Sequence, residues 1–157
     1  MQTRDQIRGH YAHECIDRLE RSSKSDPFSY RTIANDFGAN ILRCGLCSAL
    51  AFIERKKASK SSDRRSRSNE EAAAELFLDQ LAGYFRTLPG LSDQLAGDNL
   101  HAAVRTLSVE YYMVLTREAL HLALWMRRAA QARITAINCG QESGPASSAP
   151  AGEDVHA

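Results

Sequence analysis

The feature that most constrains the fold is a long apolar stripe in the second half of the 157-residue chain. Between Ser108 and Ile134, apolar residues recur every three or four positions, which is the period of an α-helix. The stripe consists of Tyr111, Leu115, Ala119, Leu122, Trp125 and Ala129, and it is widened by Leu120, Leu124 and Met126. A helix of this length extends over roughly 40 Å. So broad an apolar face predicts a central helix that neighbouring elements cover on several sides.

Helices are also predicted in the first third of the chain, where residues 2–21, 27–42 and 46–57 have helical periodicity. Asp26 and Pro27 are typical of a helix start, because aspartate caps the first turn and proline fits its first position. Gly45 predicts a break between the second and third helices. No stretch has the alternating β-branched pattern of a strand.

Four further signals divide the rest of the chain. Asn69 predicts the start of a helix, Pro89-Gly90 its end, Asp98 a short helix, and Ser108 the cap of the last one. The fold class that follows is all-α, a single bundle of about five to seven helices around a long central C-terminal helix. A chain of this length can bury roughly two-thirds of its unfolded surface without a metal or a disulfide.

We predict one helical domain over residues 1–137. Residues 58–68 are a low-complexity basic segment, which predicts a flexible linker inside that domain. Residues 138–157 are rich in Gly, Ser, Pro and Ala and contain acids but neither Lys nor Arg. This composition predicts a disordered tail.

Composition places the chain among ordinary soluble proteins, with 43% hydrophobic and 25% charged residues. The sequence has no apolar run of transmembrane length and no secretory apolar segment near its start. We therefore predict a cytoplasmic protein without a membrane partner. In that compartment thiols stay reduced, so Cys15, Cys44, Cys47 and Cys139 do not predict disulfides.

Cys44 and Cys47 have the spacing of half a zinc site or of a redox pair. Zinc needs two more ligands, and no second cysteine pair or spaced histidine pair supplies them. A thioredoxin-like pair needs a preceding strand, which the sequence does not predict. We favour a structural interpretation, in which both cysteines are small, buried side chains on one helical face. We predict no metal and no other cofactor.

The titratable residues do not form a catalytic pattern. The histidines His10, His13, His101 and His121 lack a recognisable nucleophile or carboxylate partner. The carboxylates Glu70, Glu71 and Glu75 fit a helix start and a solvated face better than an acid–base pair. We therefore predict that the protein is not an enzyme.

Positive charge is clustered although the net charge is only +1. Between Arg55 and Arg67, seven Lys or Arg residues face a single acid, Asp63. Such a cluster can bind nucleic-acid phosphates with release of counterions. It can equally be a solvated loop, and the residues of this segment alone do not decide between the two.

Two stretches resemble a known family. Residues 43–52 contain Gly-Leu-small-x-x-Leu-x-Phe, which starts at Gly45. Residues 112–130 contain Tyr-x-x-x-Thr-x-Glu-Ala-Leu from Tyr112, followed by Trp125, a hydrophobic residue and two arginines. Both are similar to the small helical subunit of the Cmr complex, the type III-B CRISPR effector that silences RNA with an RNA guide. The resemblance covers about residues 28–57 and 72–134.

The resemblance implies a helical bundle without an active site. Several copies would stack along a backbone subunit that holds the guide and cuts the target, and they would line the groove for target RNA. We accordingly predict a non-catalytic subunit whose partners are other Cmr subunits, copies of itself, and guide and target RNA. The candidate RNA contacts are Arg43, Lys56, Lys57, Arg64, Arg65, Arg117, Arg127 and Arg128. Arg43, Arg117, Arg127 and Arg128 lie in the two similar stretches, whereas the others are chosen for charge clustering alone.

Two further predictions concern the last helix. Trp125 lies within the apolar stripe, so we interpret it as a core anchor and not as a platform for base stacking. The helix also has apolar residues on more faces than one small bundle covers. We therefore predict that copies stack head to tail, with Arg117 and Glu118 at the contact.

Two other classes of protein stay open as alternatives. A helical DNA-binding regulator needs a short turn before a basic recognition helix, and no segment of this sequence combines the two. A thiol or metal protein would depend on Cys44 and Cys47, which a metal assay or a thiol titration tests.

Overall fold

The computed structural model describes residues 1–22, 25–57, 64–95 and 99–139, with the side chains of 64–68 and 135–139 left out of the description. Within these ranges the chain forms helices and no strands. The helices are α1 (Arg4–Arg21), α2 (Pro27–Lys57), α3 (Arg64–Arg86), α4 (Leu100–Arg105) and α5 (Val109–Cys139). The predicted all-α class is confirmed.

Short polar side chains cap three of the helices. At α1, the Thr3 hydroxyl accepts from the backbone N–H of Gln6 at 3.2 Å, and the Gln6 side chain accepts from the N–H of Thr3 at 2.8 Å. At α2, the Asp26 carboxylate accepts from the N–H of Ser29 at 2.8 Å, as predicted for this position. At α4 the cap is Asn99, one residue after the predicted Asp98.

The predicted break at Gly45 is a reversal of the chain. Gly45 has φ 82° and ψ 166°, a conformation that is essentially restricted to glycine. It divides α2 into α2a, residues 27–44, and α2b, residues 46–57. Side chains of both halves line one small groove, so α2b folds back against α2a. The groove is lined by Ile33, Asp36, Phe37 and Asn40 of α2a and by Phe52, Ile53 and Lys56 of α2b.

A tyrosine from a distant helix caps α2b. The Tyr112 hydroxyl on α5 accepts from the backbone N–H groups of Leu46 at 3.1 Å and Cys47 at 3.4 Å. The first N–H groups of a helix have no partner within the helix, and Gly45 has no side chain to supply one. A Cβ atom at Gly45 would lie 3.2 Å from the Tyr112 oxygen. Glycine is therefore needed both for the turn and for the approach of the tyrosine.

The predicted central position of the last helix is confirmed. α5 packs against α1 and α2, while α3 packs mainly against α2. The α5 residues Leu115, Ala119, Leu122 and Met126 are fully buried. On the α3 side, Phe77 makes edge contacts with the rings of Tyr30 and Phe37 at centroid distances of 5.4 Å.

A buried glutamine joins α1, α2a and α3. The Tyr11 hydroxyl donates to the Gln80 backbone oxygen at 2.7 Å, and the Tyr30 hydroxyl donates to the Gln80 side-chain oxygen. The Gln80 amide in turn donates to the carbonyl of Cys15 at 3.0 Å. Burial raises the pKa of the Cys15 thiol to about 12 and that of Tyr30 well above its usual range. Both groups are thus neutral at physiological pH, as their position in the core requires.

Two helices extend further than predicted. α3 begins at Arg64, not at Asn69, so residues 64–68 of the predicted linker have helical backbone. Arginine is a strong helix former and serine is tolerated, so nothing in this stretch ends the helix. α5 runs past Ile134 to Cys139, because the first glycine after Ile134 is Gly140. Residues 58–63 and 140–157, the rest of the predicted linker and tail, lie outside the described residues.

Among the helices that the structure describes, α2 alone is long and apolar enough by composition to cross a membrane. The turn at Gly45 divides it into two shorter helices that pack against each other. Its apolar residues are explained by this packing and by the contacts with α3 and α5.

We expect Gly45→Ala to lower the free energy of unfolding by about 1–3 kcal/mol, because alanine is strained at this φ and ψ. Tyr112→Phe should cost about 1 kcal/mol, the usual value of a lost helix cap. Urea unfolding followed by circular dichroism measures both.

Gly38→Ala is the matched control. Gly38 also lies in α2a, where an added Cβ would meet Ala123 at an ordinary contact distance of 3.4 Å. Because alanine has a better helix propensity than glycine, this variant should be as stable as the unmodified protein or slightly more stable. An equal loss in the Gly38 and Gly45 variants would contradict the special role of Gly45.

Candidate nucleic-acid interface

The helices α5, α2a and α2b lie side by side and form one layer. α2a lies in the middle: its Gly38 approaches Ala123 of α5, and its groove side contacts α2b. α3 packs beneath α2a through Phe77. Each of these helices has a row of exposed residues on the side away from its buried contacts. From the packing and the helical period we infer that these rows share one surface, the outer face, with Thr32, Asp36, Ala39 and Arg43 on α2a, Ser48, Phe52 and Arg55 on α2b, and Met113, Arg117, His121, Leu124 and Arg128 on α5.

The outer face is strongly basic. Its cations are Arg43 on α2a, Arg55 on α2b, and Arg117 and Arg128 on α5. Lys56 lies where α2b meets α2a, and Arg127 lies where α5 meets α2a. The carboxylates on the same side are those of Asp36 and Glu110. Positive charge from three separate segments is thereby collected on one surface, although the net charge of the chain is only +1.

Five of these cations have no carboxylate partner within the described residues. They are Arg43, Arg55, Arg117, Arg127 and Arg128. Two of the five lie over an aromatic ring: the Arg128 guanidinium is 5.5 Å from the centre of the Trp125 ring, and the Arg55 guanidinium is 5.0 Å from the centre of the Phe52 ring. An exposed cation without an ion pair needs no rearrangement to meet a phosphate, so these side chains are the most available for an anionic ligand.

The predicted candidates in the basic segment are less available. The Lys57 ammonium lies 3.1 Å from a Glu75 oxygen and points to α3, away from the outer face. The Lys56 ammonium lies 4.0 Å from Glu70. Arg64 and Arg65 belong to the first turn of α3, and their side chains lie outside the described residues.

Sequence reasoning missed Arg55 and Phe52 as members of this surface. Arg55 was counted in the basic segment but not among the candidate contacts, and Phe52 was assigned only to the family motif. The signal was available in part, because Phe52 and Arg55 are three residues apart and share a helical face. That this face points outward follows from the reversal at Gly45, which the sequence did not predict.

The Trp125 ring is in contact with two neighbours. A Cβ atom at Gly9 would lie 3.3 Å from the Trp125 ring, so α1 packs directly against the indole. Arg128 lies over the same ring. This packing supports the interpretation of Trp125 as an anchor between α1 and α5.

The predicted place of Glu118 at the molecular surface is wrong. This residue was expected beside Arg117 at a contact between copies, but it is only 5% exposed. Its carboxylate accepts from Arg8 Nε at 3.2 Å, from Arg8 Nη2 at 3.0 Å and from Arg4 Nη1 at 2.7 Å. Consecutive helical residues point about 100° apart, so Arg117 faces solvent while Glu118 faces α1.

The Arg8–Glu118 pair is a structural ion pair. Burial by itself would lower the pKa of Arg8, but hydrogen bonding to Glu118 and the charge of its carboxylate raise it above the ordinary arginine value. The pKa of Tyr84, whose hydroxyl lies 3.5 Å from Glu118, is also raised, first by burial and then by this carboxylate. The pair fixes α1 alongside α5.

The predicted arrangement of Cys44 and Cys47 is also wrong. Cys44 is exposed and donates to the Asn40 carbonyl at 3.0 Å, while Cys47 is half-buried against the core. They do not share a helical face, because Gly45 turns the chain between them. Among the described residues, no three His, Cys, Asp or Glu side chains are grouped to hold a metal ion.

A cleft of about 430 Å³ lies between α2b, α3 and α4. It is lined by charged residues of both signs, and several of them pair with each other or with neighbours. Lys57 pairs with Glu75, and the Glu54 carboxylate lies 2.9 Å from Nδ1 of His101 on α4. Among the described residues that line it, none is a cysteine, serine, threonine or histidine that could act as a nucleophile or base beside these carboxylates.

Comparison with known proteins identifies both a matching family and a similar solved structure. The family model described as CRISPR-associated protein (Cas_Cmr5) matches residues 4–133. The fold is similar to the crystal structure of a CRISPR-associated Cmr5 family protein from Thermus thermophilus, with a TM-score of 0.58 and 26% sequence identity. That match covers 83% of this chain and 97% of the other. No curated protein sequence matches the chain significantly.

Arg117 and Glu118 are adjacent in sequence, but their replacement by alanine should have very different effects on stability. We expect Glu118→Ala to cost about 3 kcal/mol or more, because it leaves the buried Arg8 charge without a partner. Arg117→Ala should change stability by less than about 0.5 kcal/mol, as is usual for exposed side chains. Thermal and urea unfolding of both variants measure this difference, and similar losses for the two would contradict the assignment of Glu118 to the fold.

Proposed function

Because the chain belongs to the Cas_Cmr5 family and is a small subunit of the CRISPR type III-B Cmr complex, we propose that it is a non-catalytic, RNA-binding scaffold subunit. In this role it lines the groove for the guide and target RNA and bridges neighbouring subunits. It acts in the cytoplasm, in antiviral RNA silencing. The rival interpretations, a DNA-binding regulator and a thiol or metal protein, have no comparable support.

The observation that carries the RNA-binding proposal is the basic outer face. Arg43, Arg117 and Arg127 are exposed, lack carboxylate partners among the described residues and come from two adjacent helices. Contacts of this kind neutralise phosphates without reading bases, so binding is independent of sequence and sensitive to salt. Arg128 and Lys56 extend the same surface. Arg64 and Arg65, in the first turn of α3, stay predicted contacts, whereas Lys57 pairs with Glu75 and does not belong to this surface.

The observation that supports bridging is an exposed apolar cluster where the α2 turn meets α5. Leu42 is 77% exposed, and Val109, Met113 and Val114 at the start of α5 are also exposed. Gly45 and Tyr112 are in contact, so Leu42 and the first turns of α5 belong to the same end of the molecule. Exposed apolar residues that are grouped in this way are typical of protein interfaces. The partners are the backbone subunit and further copies of this chain.

The RNA proposal is tested with a triple variant, Arg43→Gln, Arg117→Gln and Arg127→Gln. The logarithm of the binding constant for single-stranded RNA should depend less steeply on the logarithm of the salt concentration. At about 0.7 per phosphate contact, the slope should fall by about 2. Fluorescence anisotropy at several salt concentrations measures it.

The control is Arg18→Gln, Arg21→Gln and Arg105→Gln, which removes the same charge from exposed positions of α1 and α4. This variant should retain most of the slope of the unmodified protein. Equal effects of the two triple variants would mean that total charge, and not the outer face, governs binding.

The bridging proposal is tested with Leu42→Glu combined with Val109→Glu, because neither residue belongs to the outer face. These changes should reduce incorporation into the reconstituted complex, while the melting temperature of the free protein stays nearly constant because both side chains are exposed. Native mass spectrometry counts the copies in each complex. Ile7→Glu, an exposed apolar position on α1, is the control. A complex with one copy, or normal incorporation of the double variant, would overturn the proposal.

A further inference from the structure

The outer face contains an exposed aromatic ring between cations. Phe52 of α2b is 39% exposed, whereas Phe37, Phe77 and Phe85 are buried in the core. The Arg55 guanidinium lies 5.0 Å and the Lys56 ammonium 5.5 Å from the centre of the Phe52 ring. Both distances are within the range of cation–π attraction. The ring is thus at the surface, and both cations lie over it.

The surroundings of Phe52 suit a planar ligand at the surface. The ring forms one wall of the groove between α2a and α2b, and Asp36 and Asn40 form the other. The buried side chains of Ile33 and Ile53 close the floor. The enclosed space is only about 10 Å³, so a ligand cannot enter between the helices. A flat group that stacks on the ring has to take the place of one of the cations over it, and the displaced cation can then meet a phosphate.

We propose that Phe52 is a stacking platform for one unpaired nucleobase of the bound RNA, with Arg55 and Lys56 on the adjacent phosphates. Bases stack on aromatic side chains with little sequence preference, because every base has a π-face. Arginine beside such a platform adds both charge and a planar surface. This inference rests on the proposed RNA-binding function and adds to it a contact that depends on the base and not on the phosphate.

Two RNAs with the same number of phosphates test the proposal on the full-length protein. One is an unstructured oligonucleotide with all bases, and the other has the same backbone but abasic sugars. At fixed salt, the unmodified protein should bind the base-containing RNA about tenfold more tightly, because the stacking of one base contributes about this much affinity. Phe52→Leu should abolish this preference while the salt dependence is retained, and Phe52→Trp should restore it. Phe28→Leu is the control, because Phe28 is exposed but has no cation over its ring in the described part of the chain.

Each outcome decides a different point. Equal affinity of the unmodified protein for the two RNAs overturns the stacking platform and leaves the electrostatic proposal intact. A preference that persists in Phe52→Leu shows that bases bind elsewhere, and it also overturns the platform. Absence of RNA binding even at low salt overturns the proposed function together with this inference. If Phe52→Leu fails to fold, Phe52→Met, which also removes the aromatic ring, takes its place in the comparison of the two RNAs.

Discussion

The fold depends on one contact between distant parts of the chain, the hydrogen bonding of the α2b N-terminus to Tyr112. Reversing a helix across a single residue creates two problems. The backbone must adopt a conformation that only glycine tolerates, and the new helix must find acceptors for its first N–H groups. Gly45 meets the first requirement and the Tyr112 hydroxyl meets the second. Because Tyr112 belongs to α5, the reversal also fixes the central helix relative to both halves of α2.

The basic outer face is a consequence of this reversal. If α2 continued straight through Gly45, Phe52 and Arg55 would extend away from α5 along the helix axis. Folding α2b back against α2a makes a layer of three helices in which Arg43 lies between the cations of α5 and those of α2b. The two stretches that resemble the Cmr small subunit are therefore joined by a physical requirement, since one provides the glycine and the other its capping tyrosine.

Local signals in the sequence were sufficient to predict the helices and the position of the break. Asp26 caps α2 and Gly45 interrupts it. Leu115, Ala119, Leu122 and Ala129 of the apolar stripe are buried as its period indicates, whereas Tyr111 and Leu124 are exposed. The direction of the chain after Gly45 was not predictable, because it depends on a hydrogen bond with a residue far away in sequence. The burial assigned to Cys44 failed for the same reason, since helical periodicity presupposes a continuous helix.

The misplacement of Glu118 has a different cause, and it explains how the chain can be stable and still present a basic face. Adjacent charges of opposite sign suggest a surface pair, yet a helix directs Arg117 and Glu118 to different surroundings. Glu118 is used inside the molecule, where it compensates Arg8 and joins α1 to α5. Arg117 then has no carboxylate partner among the described residues and stays available at the surface. Because the acidic charge is taken up by structural pairs such as this one, a chain with almost no net charge can present a surface that is strongly positive.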